Sequence, residues 1–261
     1  MEADKCRTRR HRTVSGSGLT GLISVLAVSL TAVPCRAADV DEAKLQRAEQ
    51  LFHEGNVAAS SHEFPKAIEL YHQGLITLGE STTAATTTEL PKVLQDRYAQ
   101  VSLTLTRNYI LAHFQAGQFL AKAGSEKLTR AVQSAQAMPD LVHEASRQLQ
   151  ESAQYLDLTL QLLDKLEASY RTVLDTEFRF VGPWPAEPSD NKGPIGFSDY
   201  YHGGCYLNLA VIAAYLGDVP EEQEYTKKMH ALGQPELEAV YHQIRQEVDP
   251  LLSKLYGTQG T

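Results

Sequence analysis

The residues best suited to chemistry fall in one short run, His202-Gly203-Gly204-Cys205. An imidazole and a thiol three positions apart can bind a borderline-soft metal or serve as base and nucleophile. Each use lacks parts. A closed zinc site takes four ligands, and the chain has no H-E-x-x-H and no C-x-x-C to complete one. His53-Glu54, His62-Glu63 and His143-Glu144 are isolated pairs whose two side chains leave a helix in different directions. A thiol nucleophile needs a third group to orient its histidine, and no spacing marks one. Gly196-Phe197-Ser198-Asp199-Tyr200 lacks the second glycine and the preceding strand of an esterase elbow. Ser198 reads instead as the N-cap of a helix beginning near Asp199. No glycine-rich phosphate loop occurs, and the many carboxylates single out no pair. Cys205 is expected to be a buried, apolar thiol, and the chain to carry no catalytic residue, no metal site and no cofactor. The enzymatic alternative would use the Trp184–Cys205 region.

The elements that would position such residues are helices. No stretch alternates apolar and polar residues as a half-buried strand does; apolar residues recur at three and four. Ala43 through Ser60 reads as one helix and Phe64 through Leu78 as the next. The short Ser60–Glu63 turn between them implies an antiparallel hairpin. Pro65 falls in the first turn of the second helix, where a missing N–H costs little.

This pair resembles a tetratricopeptide repeat, the 34-residue helix–turn–helix unit. The residues that carry the resemblance are Leu51-Phe52-His53-Glu54-Gly55-Asn56, Glu63-Phe64-Pro65-Lys66-Ala67-Ile68, Tyr71 and Gly74-Leu75. Gly55, Ala67, Tyr71 and Gly74 would be its packing residues: small side chains let two helices approach, and the aromatic fills the gap to the next hairpin. A second pair is expected between Tyr98 and Met138, turning at Gly117-Gln118-Phe119, and a third from Leu209 across Gly217-Asp218 to Glu222 and beyond. The resemblance implies an all-α solenoid of stacked antiparallel hairpins that holds a peptide or partner segment. In relatives that clamp a terminal carboxylate, a lysine and an asparagine stand on the first helix; Asn56 matches the asparagine, but Phe52 takes the lysine's place. Asn56, Asn108 and Asn208, polar residues in helical stretches, and Trp184 and Tyr201 are the candidate ligand contacts.

Leu149, Ala153, Leu156, Leu160, Leu163, Tyr170 and Leu174 follow a 4-3-4-3 rhythm that Glu167 interrupts. The pattern predicts one long helix over about 140–176, opened by Pro139 and Asp140. Its stripe would lie against neighbouring helices or, in a self-associating structural protein, form a seam between two chains. Residues 178–198 are rich in Pro and Gly and hold Trp184, the chain's only tryptophan. Residues 81–88 form a polar Thr-rich connector.

The N-terminus reads as an address. Five Lys/Arg among residues 1–13, the uncharged Leu19–Val33 run, then Arg36-Ala37-Ala38 fit a secretory signal peptide cut after Ala37. The apolar run is shorter than the ~20 residues that span a bilayer. The division is then 1–37 signal and 38–261 helical domain. Of 261 residues, 43% are hydrophobic and 21% charged, enough for a core; the net charge of −8 opposes nucleic-acid binding. Cleavage removes six Lys/Arg and two acids and leaves 18 basic and 30 acidic residues, a net charge of −12 that favours basic partners. Cys205 alone remains, so no internal disulfide forms. The expected function is a non-catalytic exported adaptor or scaffold, periplasmic or extracellular, with a protein or peptide partner, no membrane span after cleavage, no nucleic acid, and a homodimer as a possible state.

Overall fold

The computed structural model describes residues 35–79, 92–134, 138–182 and 193–256. Most of the predicted signal segment, the Thr-rich connector and Trp184 lie outside them. The described chain is all-α: α1 Cys35–Ser60, α2 Phe64–Gly79, α3 Lys92–Gln133, α4 Pro139–Asp164, α5 Ala168–Glu177, α6 Phe197–Leu216, α7 Val219–Ala231 and α8 Pro235–Tyr256. Two two-residue strands, β1 Arg179–Phe180 and β2 Ile195–Gly196, pair antiparallel between α5 and α6. None of these helices is long and apolar enough to cross a membrane.

The first hairpin turns where the spacing places it, although α1 begins at Cys35 rather than at Ala43. Leu45, Ala48, Leu51 and Ala58 of α1 and Phe64, Ala67, Tyr71 and Leu78 of α2 are buried at three- and four-residue intervals. The turn closes with Glu63 N–H on the Ala58 carbonyl and His62 N–H on the Ala59 carbonyl, His62 taking φ 60° where glycine is usual. A Cβ on Gly55 would stand 2.5 Å from the Tyr71 ring, and one on Gly74 2.9 Å from Leu105, so both glycines set contact distances.

The second hairpin differs from the expectation. No turn occurs at Gly117-Gln118-Phe119; α3 runs on for 42 residues, roughly 63 Å, and packs against both α2 and α4. A lone glycine weakens a helix by only ~1 kcal/mol, and Gln118-Phe119-Leu120-Ala121 offers no Pro, Asn or Asp to end one. Gly117 and Gly124 serve packing instead. Cβ atoms there would stand 2.7 and 2.8 Å from Leu156 and Leu149 of α4. Ser152 Oγ donates to the Gly117 carbonyl at 2.6 Å, a bond that the close approach of the helices permits.

The single helix predicted for 140–176 is two. It begins at Pro139 as expected but breaks after Asp164, and α5 restarts at Ala168. The stripe would place Glu167 in an apolar seam, and a carboxylate there would lose its water. The chain changes direction instead, exposing Glu167 and burying Leu166. Arg171 donates to the Leu163 carbonyl at 2.7 Å, capping the end of α4. Leu149, Leu156, Leu163 and Leu174 are all fully buried within the chain.

The third hairpin, α6 and α7, turns at Gly217 (φ 72°), and Asp218 caps α7 by accepting from Glu221 N–H at 3.1 Å. Ser198 is not the cap of α6. The helix starts at Phe197, and Asp175 of α5 accepts from Ser198 N–H at 2.7 Å. Phe114, Leu128, Leu149, Leu156, Cys205 and Leu209 join α3, α4 and α6 in the largest core cluster.

One core residue is out of character. His113 of α3 is 6% exposed, and neither ring nitrogen has a hydrogen-bond partner among the described residues. Burial, then the charge of His72, lowers its pKa to about 4. The folded state therefore prefers the neutral imidazole. Its contribution is complete above the unfolded value near 6.5 and is lost as pH falls toward 4, roughly 3 kcal/mol in all. Chemical denaturation between pH 7.5 and 4 should show this decline, and His113→Leu should remove it while raising stability at pH 7, because an unpaired polar group leaves the core. Gly117→Val should lower stability by about 1–3 kcal/mol through overpacking against Leu156, measurable as a reduced denaturation midpoint.

Candidate functional site

Two of the predicted asparagines meet. Asn56 projects from α1 and Asn108 from α3, and Asn108 Nδ2 donates to Asn56 Oδ1 at 2.8 Å. The same oxygen accepts Tyr71 Oη of α2 at 2.7 Å. Arg107 Nε then donates to Asn108 Oδ1 at 3.1 Å. The chain Tyr71–Asn56–Asn108–Arg107 thus ties three helices together with neutral groups and ends on a cation. Burial pushes the Tyr71 phenol up. Near the other end of α1, Arg97 of α3 binds Glu42 at 2.9 Å and Glu49 at 2.6 Å. Asn56 and Asn108 therefore act first on each other.

The guanidinium of Arg107 lies over the ring of Phe178, just after α5, at 4.4 Å from its centroid. Burial draws its pKa below the ordinary value, and Tyr201, Glu177 and Tyr71 only partly oppose this. Tyr201 of α6 is half-buried among aromatic rings, at 5.1 Å from Phe114, 4.7 Å from Phe197 and 5.9 Å from Phe180. The site thus draws on four helices and on Phe178, the residue that follows α5. It is polar on the α1–α3 side and aromatic on the α5–α6 side.

The other candidates lie apart or outside. Asn208 Nδ2 donates to the Gly204 carbonyl one turn back in its own helix, at 2.7 Å. Trp184 lies outside the described residues. The His202–Cys205 run does not assemble a dyad. His202 Nδ1 faces the Ser198 carbonyl at 2.8 Å and Nε2 faces Asp164 at 3.1 Å. Cys205 is fully buried, and burial holds its thiol well above the ordinary range, away from the nucleophilic thiolate. Among the described residues no group of three or more His, Cys, Asp or Glu is placed to hold a metal.

No comparison supplies a relative. No family model matches the chain, and neither a curated protein nor a solved structure does.

Sequence reasoning missed Arg107. The signal was present: between Arg97 and Lys122 it is the only Lys, Arg, Asp or Glu, so a helix buried on several sides had to account for it. A cleft of about 380 Å³ lies between α7 and α8; its walls include Glu222, Tyr241 and Arg245. There Arg245 Nε meets Glu222 at 2.9 Å, and the Tyr241 hydroxyl donates to the same carboxylate.

The geometry predicts unequal costs for the asparagines. Asn56→Ala strands two donors and should cost about 1–3 kcal/mol, read as a lower thermal midpoint. Asn208→Ala removes one bond inside a helix and should cost less than about 1 kcal/mol.

Proposed function

We propose that the chain is an exported, tetratricopeptide-like adaptor or scaffold, binding a protein or peptide partner in the cell envelope or outside the cell without catalysis. The observation that carries the reading is a succession of three hairpins, α1/α2, α3/α4 and α6/α7, in which α3 packs on α2 and α6 on α4. Arg97 and the Asn56–Asn108 bond tie α1 to α3. The Phe114–Tyr201 contact ties α3 to α6. Helices stacked in this way offer an extended surface for a partner segment. The placement of Gly55 against Tyr71, with Ala67 fully buried beside them, supports the repeat resemblance. The basic, then apolar, then small-residue pattern of the first 37 residues supports export.

The seam alternative has less behind it. The Leu149–Leu174 stripe is covered by the chain's own helices, so a second chain has little apolar surface to gain there.

Site-directed photo-crosslinking tests the adaptor reading. A benzoylphenylalanine in place of His53, exposed on α1, should trap a discrete partner from an envelope or culture-supernatant fraction. The same group in place of Gln73, exposed on α2, should not. No discrete product from either position, or equal labelling from both, counts against it.

A further inference from the structure

We propose that the groove between α4 and α7, floored by α6, seats a lysine side chain of the bound partner, with its aliphatic stem on the floor and its ammonium beside Asp218 and Glu221. The inference rests on the adaptor reading and gives the partner segment its chemistry.

Three helices each turn one face to this groove. Leu209, Ile212 and Leu216 of α6 are spaced by three and four, as are Asp218, Glu221 and Tyr225 at the turn into α7 and beyond it. Gln150, Ala153 and Asp157 of α4 repeat the interval. α6 packs on both α4 and α7, and the three faces enclose about 480 Å³. Tyr225 Oη donates to Asp157 at 3.1 Å and joins the two walls. Leu209 and Ile212 are buried at the base, while Ala153 and Leu216 remain partly exposed. Of the described residues that line the groove, Asp218 and Glu221 are the charged ones, and none is basic.

The neighbouring cleft shows by contrast what this groove lacks. Between α7 and α8, Glu222 meets Arg245 at 2.9 Å, so that cleft carries its own cation. In the α4–α7 groove, Asp157, Asp218 and Glu221 form no ion pair among the described residues, and Lys228 is held by Glu224 at 2.6 Å. Asp218 and Glu221, three positions apart at the start of α7, repel each other. Burial, then the charges of Asp218, Asp157 and Glu224, push the Glu221 carboxyl up from its ordinary value. A cation brought by a partner relieves this crowding, and the apolar base beside it favours a methylene stem. Lysine supplies both, a long aliphatic stem and a compact ammonium that needs no fixed plane. The chain's net charge of −8 draws basic segments toward it.

Peptide pools that separate stem from charge decide the matter. Three octapeptide pools of otherwise uncharged mixed sequence are passed over the immobilised full chain. Their central residue is lysine, norleucine (the stem without the charge) or diaminopropionate (the charge without the stem). The lysine pool should be retained about fivefold better than either of the others, the scale of a rim ion pair or of a few half-buried methylenes. Glu221→Gln should lose most of the preference over norleucine. Gln150→Lys, at an exposed position of the α4 wall, supplies an ammonium of the chain's own and should depress lysine retention while holding or raising the thermal midpoint. Should either variant fail to fold, the wild type still decides: its preference for lysine over norleucine should fall in roughly 1 M salt, where screening shortens to about 3 Å. A preference unmoved by salt, equal retention of the three pools, retention of none, or full preference in a folded Glu221→Gln overturns the proposal. If lysine is not preferred while position 53 still traps its discrete partner, the lysine seat falls and the adaptor reading stands.

Discussion

The approach of α3 and α4 at Gly117 and Gly124 sets the spacing on which the later helices pack. With hydrogen in place of a side chain at these two points, Leu149 and Leu156 reach the backbone of α3, and Ser152 reaches a main-chain carbonyl. Helices this close leave no slack, so the positions of Phe114, Leu128 and Ala145 follow, and α6 lays Cys205, Leu209 and Ile212 against them. The long α3 carries this spacing back to the first hairpin, where Leu105 meets Gly74. The same small-residue device therefore recurs from one hairpin to the next, with Gly55 and Tyr71 as its first instance.

Much of this was legible because it is local. Periodicity of three and four marks the helices, and the short turns at Ser60–Glu63 and Gly217-Asp218 mark two of the hairpins. What failed was non-local. Gly117 can mark a turn or a close contact, and only the facing Leu156 decides between them. Ser198 is a fitting cap by type, yet Asp175 takes the role from another helix, 23 residues earlier. Glu167 was visible as a fault in the stripe, but the direction the chain takes there depends on where Leu166 can be buried.

The site divides in the same way. Asn56 and Asn108 were singled out as polar residues in helical stretches, and the fold does bring them together. It also uses them on each other, which residue type alone does not reveal. Arg107 and His113 are the converse: each is plain in the sequence and becomes notable only through its neighbours, an amide and a ring rather than a carboxylate for Arg107 and, among the described residues, no hydrogen-bond partner for His113. Buried groups that lack partners identify themselves by subtraction, after every neighbour has been assigned.

The small ladder between α5 and α6 has one more consequence. Arg179 pairs with Gly196 and Phe180 with Ile195, while Phe180 stacks on Tyr200 at 3.6 Å. The chain leaves and returns through the same two rungs, which are clamped to the first turns of α6. Because the rungs are main-chain bonds, a change of side chain at Arg179 or Ile195 leaves them in place, and the junction of α5 with α6 is buffered against substitution at those positions.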